Sequence, residues 1–137
     1  MMNQDPVILY VEDDAPSRRI MKLMFSIKLK LTSYHIFEDS KNFMERVEAL
    51  DPAPDCIFLD IHVDPYSGFE MLEMLRTSVR FQNVPVVALT ASVMNEEVQK
   101  LKQAGFNGCI GKPLDFETFP ELVDMIQNGE EIWRILS

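Results

Sequence analysis

Four short apolar runs in this chain stop abruptly at a residue with chemistry to offer. Val7-Ile8-Leu9-Tyr10-Val11 ends in Glu12-Asp13-Asp14, and Cys56-Ile57-Phe58-Leu59 ends in Asp60. The run from Val84 to Leu89 stops at Thr90, and the short run Cys109-Ile110-Gly111 stops at Lys112-Pro113. Runs of this length fit buried strands, and stretches of helical period separate them, which is the pattern of βαβ units around a parallel sheet. In such open sheets ligands sit beyond the carboxyl ends of the strands. Two strand ends then deliver acids to one place, a third delivers a hydroxyl and a fourth an ammonium. That set suits a divalent metal and a phosphoryl group.

Between the runs, apolar spacing predicts five helices. Pro16 stands where a first helical turn begins, and Ile20, Leu23, Met24 and Ile27 follow at i, i+3, i+4, i+7, so they are expected on its inner face. Ser40 is expected to cap a second helix carrying Phe43, Met44, Val47 and Leu50, which Asp51-Pro52-Ala53-Pro54 stops. A third sets Phe69, Leu72, Leu75 and Val79 inward. The fourth starts near Asn95, turns Val98 and Leu101 inward and ends at Gly105, a residue suited to the left-handed position after a helix. Asp115 is expected to cap a fifth bearing Phe119, Leu122, Val123 and Ile126 and ending near Asn128-Gly129. A second strand, poor in apolar residues, falls at Ser33 to Phe37. The tail from Glu130 to Ser137 holds Ile132, Trp133, Ile135 and Leu136; it is expected to pack back on the domain rather than present an apolar anchor to a partner, because exposed Trp and Leu are costly.

A length of 137 residues fits one domain, with a core at about 5–128 and a tail at 129–137. The net charge of −9 argues against nucleic acid and anionic lipid as general partners, since both need a basic surface. The two cysteines fall in apolar runs and read as small core residues rather than a disulfide framework. The first residues lack a basic segment followed by a long apolar one, and apolar residues nowhere run long enough to span a bilayer. The expectation is a cytoplasmic protein with no membrane span.

Mg²⁺ takes hard oxygen ligands, usually one or two carboxylates with waters and a substrate phosphate. Glu12, Asp13 and Asp60 offer that partial shell. Three crowded acids repel one another without a cation, so a metal and Lys112 both have a purpose there. Asp14 has a different explanation as an acid at the start of the first helix. A carboxylate can attack phosphorus and become an acyl phosphate; Asp60 is placed for that role, Thr90 to hydrogen-bond a phosphoryl oxygen, and Lys112 to neutralise another. Each residue alone has an ordinary structural reading. Four strand ends that agree on one chemistry do not. Competing chemistries lack their residues: Phe106 and Pro113 break the phosphate-cradling P-loop pattern around Gly111-Lys112, and two His with two apolar-run Cys give no zinc spacing.

Over about residues 5–128 the chain resembles the receiver domain of two-component response regulators. Glu12-Asp13 resembles the family's metal-binding acids, Asp60 its phospho-acceptor, Thr90-Ala91 its switch hydroxyl and following small residue, and Lys112-Pro113 its Lys-Pro pair, usually joined by a cis peptide. The resemblance implies an α/β, flavodoxin-like (βα)5 three-layer sandwich with a five-stranded parallel sheet in the order 2-1-3-4-5. It also implies Mg²⁺, with the main-chain carbonyl of His62 as a further ligand, and a phosphoryl group taken from a phosphohistidine. Two positions depart from the pattern. Asp64 stands where the family usually has Pro, with Pro65 one place later and Gly68 still in register. Cys109 stands where an aromatic usually precedes the Lys by three residues.

The function expected is that of a single-domain, CheY-like receiver: a switch phosphorylated on Asp60 that relays signal without an attached output domain and is not itself a metabolic enzyme. Its partners would be a sensor histidine kinase or phosphotransfer protein and a downstream protein, and the receiver itself would be a monomer or weak dimer. The output face would be the fourth helix, fifth strand and fifth helix. One rival is a dehalogenase-like phosphohydrolase, which wants a second Asp where His62 stands. Another is a receiver-like module that binds partners without phosphorylation, a reading that the full set of Glu12, Asp13, Asp60, Thr90 and Lys112 opposes.

Overall fold

Every strand pairing in the sheet is parallel. The computed structural model describes residues 5–92 and 94–134. β1 (Ile8–Val11) lies between β2 (Tyr34–Phe37) and β3 (Cys56–Asp60); β4 (Val86–Thr90), β5 (Gly108–Gly111) and β6 (Ile132–Arg134) follow, in the order β2-β1-β3-β4-β5-β6. The helices are α1 (Ala15–Leu23), α2 (Phe43–Glu48), α3 (Gly68–Arg76), α4 (Asn95–Ala104) and α5 (Phe119–Gln127).

Side chains alternate across each strand, and this splits the core into two layers. Leu9, Val11, Ile57, Leu59, Val86 and Ala88 meet Phe43 and Val47 of α2, Met71, Leu72 and Leu75 of α3, and Leu101 of α4. On the other face Ile8, Tyr10, Phe58, Val87 and Leu89 meet Met21, Met24 and Phe25 at α1 and Phe119, Leu122, Val123 and Ile126 of α5. The strands are apolar at nearly every position because both faces are covered. β2 is the exception, half-buried through Tyr34, His35 and Ile36, which suits an edge strand. The architecture is the flavodoxin-like three-layer sandwich.

The sheet differs from the five-stranded expectation by one strand. The tail adds β6, paired Gly108↔Ile132, Cys109↔Trp133 and Ile110↔Arg134. Ile132 is buried in the α1/α5 layer and Trp133 packs against the opposite one. Ile135 and Leu136 lie outside the described residues. Gly108 permits the pairing: a Cβ there would stand 2.4 Å from the Ile132 carbonyl oxygen.

Four helix details also differ. Met21, Met24 and Phe25 face inward in the first helix, whereas Ile20, Leu23 and Ile27 are 43, 50 and 66% exposed. Two apolar stripes run side by side there, and spacing does not choose between them; the larger Phe25 ring goes inside, 5.1 Å from Tyr34. A π-helical turn, Met24–Lys28, then widens the helix and carries Ile27 outward. Val79 is 87% exposed because α3 ends at Arg76; Met71 takes an inner position instead. Ser40 does not cap α2, whose first flanking residue is Asn42 in the left-handed region. α5 begins after Thr118 with Pro120 in its first turn, while Asp115 organises the preceding turn by accepting from the Glu117 N–H.

Candidate functional site

Tyr10 and Glu12 are two residues apart, so β1 sends both side chains to the same face. The Tyr10 hydroxyl donates to Glu12 Oε1 at 2.7 Å, and both residues are buried. The backbone of Glu12 is fixed as well. Its N–H donates to the Phe37 carbonyl at 3.0 Å, and the Arg18 guanidinium donates to the Glu12 carbonyl at 2.9 Å. Asp13 is exposed at the mouth. Asp14 caps α1, accepting from the Ser17 N–H at 3.0 Å and the Ser17 hydroxyl at 2.6 Å, which together hold its carboxyl below the usual range.

Asp60 closes β3 and is 6% exposed. Gly68 sets the loop after it: the Gly68 N–H donates to the Ile61 carbonyl at 2.9 Å, and a Cβ would stand 3.0 Å from Ile61 Cα and 3.1 Å from the Asp60 carbonyl oxygen. Glycine lets α3 begin directly against the strand that carries the acid. Ser40 clamps the same loop from β2's side, donating to the Tyr66 carbonyl at 2.8 Å and accepting from the Tyr66 N–H at 2.7 Å. Asp64 is exposed in this loop and joins Pro65 by a cis peptide. Thr90 ends β4, buried, with its oxygen accepting from the Ser92 N–H at 3.1 Å. Val93, in the segment that follows, lies outside the described residues. The Lys112 N–H donates to the Thr90 carbonyl at 2.8 Å, and the Lys112-Pro113 peptide is cis.

These elements bring Lys112 onto two acids. Its ammonium donates to Glu12 Oε1 and lies 3.5 Å from Asp60 Oδ1. One carboxylate oxygen from each of Glu12, Asp13 and Asp60 falls within 4.8 Å of the others. Burial, and then the adjoining Glu12 carboxylate, push the Asp60 carboxyl up to about 7. Burial also opposes ionisation of Glu12, but hydrogen bonds with Asp60, Lys112 and Tyr10 outweigh it and hold that carboxyl below its ordinary value. One ammonium therefore does not balance the buried acids. A hard divalent cation fits this donor set, because three oxygen ligands gather where positive charge is lacking.

The structure thus brings Glu12, Asp13, Asp60 and Lys112 into one cluster. Thr90 sits at the adjacent strand end, and His62 stands exposed two residues beyond Asp60. Asp64 does not belong to the acidic grouping found among the described residues. Cys109 is buried on the α2–α4 face, and burial raises its thiol to about 11. Sequence reading missed the Tyr10 hydroxyl and the Ser40 clamp. The Tyr10 signal was present as an apolar-run tyrosine in step with Glu12; Ser40 gave none.

The pattern that defines the response regulator receiver domain matches residues 8–127. The chain belongs to that family. A receiver is the phosphorelay module of two-component signalling, binds Mg²⁺ at an acidic pocket, and interacts with histidine kinases or phosphotransfer proteins. This receiver is 31% identical over 128 residues to hybrid signal transduction histidine kinase D of Dictyostelium discoideum, covering 93% of this chain and 8% of that protein. It is 28% identical to stress response regulator protein 1 of Meyerozyma guilliermondii, covering 88% and 54%, and 33% identical to the polar-differentiation response regulator DivK of Brucella ovis, covering 56% and 66%. The receiver therefore spans less than two thirds of the length of each of these relatives. Its fold matches the signal receiver domain of a DNA-binding response regulator from Colwellia psychrerythraea with a TM-score of 0.78 at 20% identity, covering 90% and 99% of the two chains. CheY4 of Vibrio cholerae matches with a TM-score of 0.75 at 22% identity, covering 88% and 98%. Among the described residues no helix is long and apolar enough to cross a membrane.

Proposed function

We propose that Asp60 accepts a phosphoryl group from the phosphohistidine of a sensor kinase or phosphotransfer protein, and that the receiver switches its partner contacts in response. The observation that carries this reading is the buried Asp60 carboxylate with Glu12 and Lys112 against it at the carboxyl edge of the sheet. Glu12, Asp13, Asp60 and the main-chain carbonyl of His62 would hold Mg²⁺. The ion would neutralise the crowded acids and the charge on the phosphoryl oxygens. A solved structure of another response regulator of this fold, Rcp1, is described as its Mn²⁺-bound form, at 23% identity and a TM-score of 0.69, covering 90% of this chain and 92% of that one.

An Asp60 carboxylate oxygen forms the new P–O bond as the donor's P–N bond breaks, and the departing imidazole takes up a proton. Lys112 exchanges its carboxylate partners for a phosphoryl oxygen, and the Thr90 hydroxyl donates to another. The receiver assists this transfer to itself and turns over no metabolite. The donor protein would approach beside α1, where Ile20, Leu23 and Ile27 are exposed and Ile20 and Phe116 rim a 340 Å³ pocket that Lys112 also lines. Output would pass from Thr90 and Lys112 into α4, β5 and α5. With Cys109 in place of a ring, movement of the segment after Thr90 carries the change.

Incubation with a small phosphodonor and Mg²⁺, followed by intact-mass measurement, tests the assignment. One phosphoryl adduct is expected on the parent and none on Asp60→Asn. The same adduct on both proteins overturns it.

A further inference from the structure

Oε1 of Glu12 has two donors, the Tyr10 hydroxyl at 2.7 Å and the Lys112 ammonium. Beyond these, Glu12 has a long contact, 3.3 Å, from the Asp14 N–H to Oε2 and a hydrogen bond with the Asp60 carboxyl, which a phosphoryl group on Asp60 removes. Glu12 is 1% exposed and Tyr10 2%, so water does not readily replace a donor that departs. A buried carboxylate that loses its charged partner is costly unless another hydrogen bond remains. Under the function proposed above, on which this inference rests, Lys112 turns from Glu12 toward a phosphoryl oxygen on Asp60 and its hold on Oε1 loosens. The remaining buried donor on Oε1 is then the tyrosine.

We propose that Tyr10 is a positioning residue that keeps Glu12 oriented and hydrogen-bonded while Lys112 moves between the acid and the phosphoryl group. Packing alone does not call for tyrosine here. The ring shares its layer with Ile8, Phe58 and Leu89, where phenylalanine fills the same space. The hydroxyl adds a buried polar atom, and Glu12 is the partner that makes its burial tolerable. Tyr10 thus separates two duties that Lys112 otherwise carries alone. Lys112 balances charge, and Tyr10 fixes geometry.

The test compares Tyr10→Phe with the parent in Mg²⁺ affinity, in affinity for beryllofluoride with Mg²⁺ present, and in both again on a Lys112→Ala background. In the free protein Lys112 remains on Glu12, so the Mg²⁺ affinity of Tyr10→Phe should fall by no more than about twofold. Beryllofluoride draws Lys112 away, and there the loss should reach roughly tenfold, the scale of a hydrogen bond to a charged group. On the Lys112→Ala background, Tyr10→Phe should weaken Mg²⁺ itself by roughly tenfold, since neither donor to Oε1 is left. A role in packing alone predicts equal Mg²⁺ losses on both backgrounds, and that result overturns the inference. A second measurement keeps the hydroxyl in place: with 3-fluorotyrosine at the three tyrosines, the Tyr10 fluorine resonance should move when beryllofluoride binds. A resonance that stays in place also overturns it. Failure of the parent to bind beryllofluoride at all would sink the phosphoryl-acceptor reading and this inference together, whereas normal binding by both parent and Tyr10→Phe sinks this inference alone.

Discussion

Asp60 and Glu12 share one ammonium, and the metal-free protein must show it in its response to pH. The Asp60 carboxyl is raised from 3.8 to about 7 by burial and by Glu12. A group raised on folding lends stability that is fully present below its unfolded value and is lost as pH climbs through the folded one. Glu12 is lowered, so its contribution is present above its ordinary 4.5 and fades only as pH falls through its folded value. The two do not oppose each other between about pH 5 and 7. In chelator, the parent should be more stable at pH 5 than at pH 8 by on the order of 2 kcal/mol, and Asp60→Asn should lose most of that difference. Thermal melts decide the matter: a parent that melts no higher at pH 5 contradicts the crowding of these acids. Mg²⁺ at pH 8 should recover the missing stability. At this scale the sequence was legible wherever a polar residue ended an apolar run, which is how Glu12, Asp60, Thr90 and Lys112 announced themselves. It was less legible at Tyr10, because a strand tyrosine reads as core until its hydroxyl is given a partner.

At the scale of elements, the first helix is where periodicity misled. Its Met21-Met24-Phe25 stripe and its Ile20-Leu23-Ile27 stripe have similar apolar content, and only the volume beneath the helix chose between them. The choice has a functional consequence. Under the proposed phosphotransfer, an exposed apolar stripe beside the acidic cluster would serve as a surface for a partner helix. Leu23→Glu should change folding stability by about 0.5 kcal/mol or less, since the position is 50% exposed. Transfer from a phosphohistidine protein that serves the parent should slow by roughly tenfold, the effect expected when an apolar contact gives way to a buried charge. Transfer from a small phosphodonor should suffer far less. Equal slowing with both donors would mean that the substitution disturbs the acidic cluster and that this stripe is not the docking face. The start of α3 was more legible than it was read: Ser67 and Glu70 form a reciprocal capping box, and that spacing is visible in Ser67-Gly68-Phe69-Glu70. Arg76 was not legible. Its guanidinium gathers the Phe81, Gln82 and Val84 carbonyls and the Asn107 side chain, a clamp across two loops that only the tertiary structure creates.

Across the whole molecule, the sixth strand is the feature that a count of apolar runs did not reveal. β6 is short, and its pairing depends on a glycine in a different strand. The expected order of five strands leaves β5 as an edge, and β6 covers it with a parallel strand from the same chain, which blunts an exposed ladder. The cover sits close to the chemistry, since β5 leads directly into Lys112. Gly108→Ala isolates its contribution. The new methyl would meet the Ile132 carbonyl oxygen at 2.4 Å and its nitrogen at 3.1 Å, both backbone atoms that a rotamer change does not move aside. β6 should therefore leave the sheet. The loss of Ile132 burial should cost about 1–3 kcal/mol. Trp133, the single tryptophan of the chain, should enter solvent, shifting its emission to longer wavelength and exposing it to quencher. The β5 amides should exchange faster, and a chain ended at Glu131, which lacks the tryptophan, should reproduce that faster exchange and the loss of stability. If Gly108→Ala keeps the parent's emission, quenching and β5 exchange, β6 does not depend on glycine at 108 and its pairing with β5 must be looser than this register. If emission shifts while Mg²⁺ affinity stays as in the parent, the strand protects the sheet edge without tuning the acids. If Mg²⁺ affinity shifts with it, the edge of the sheet and the position of Lys112 are mechanically one.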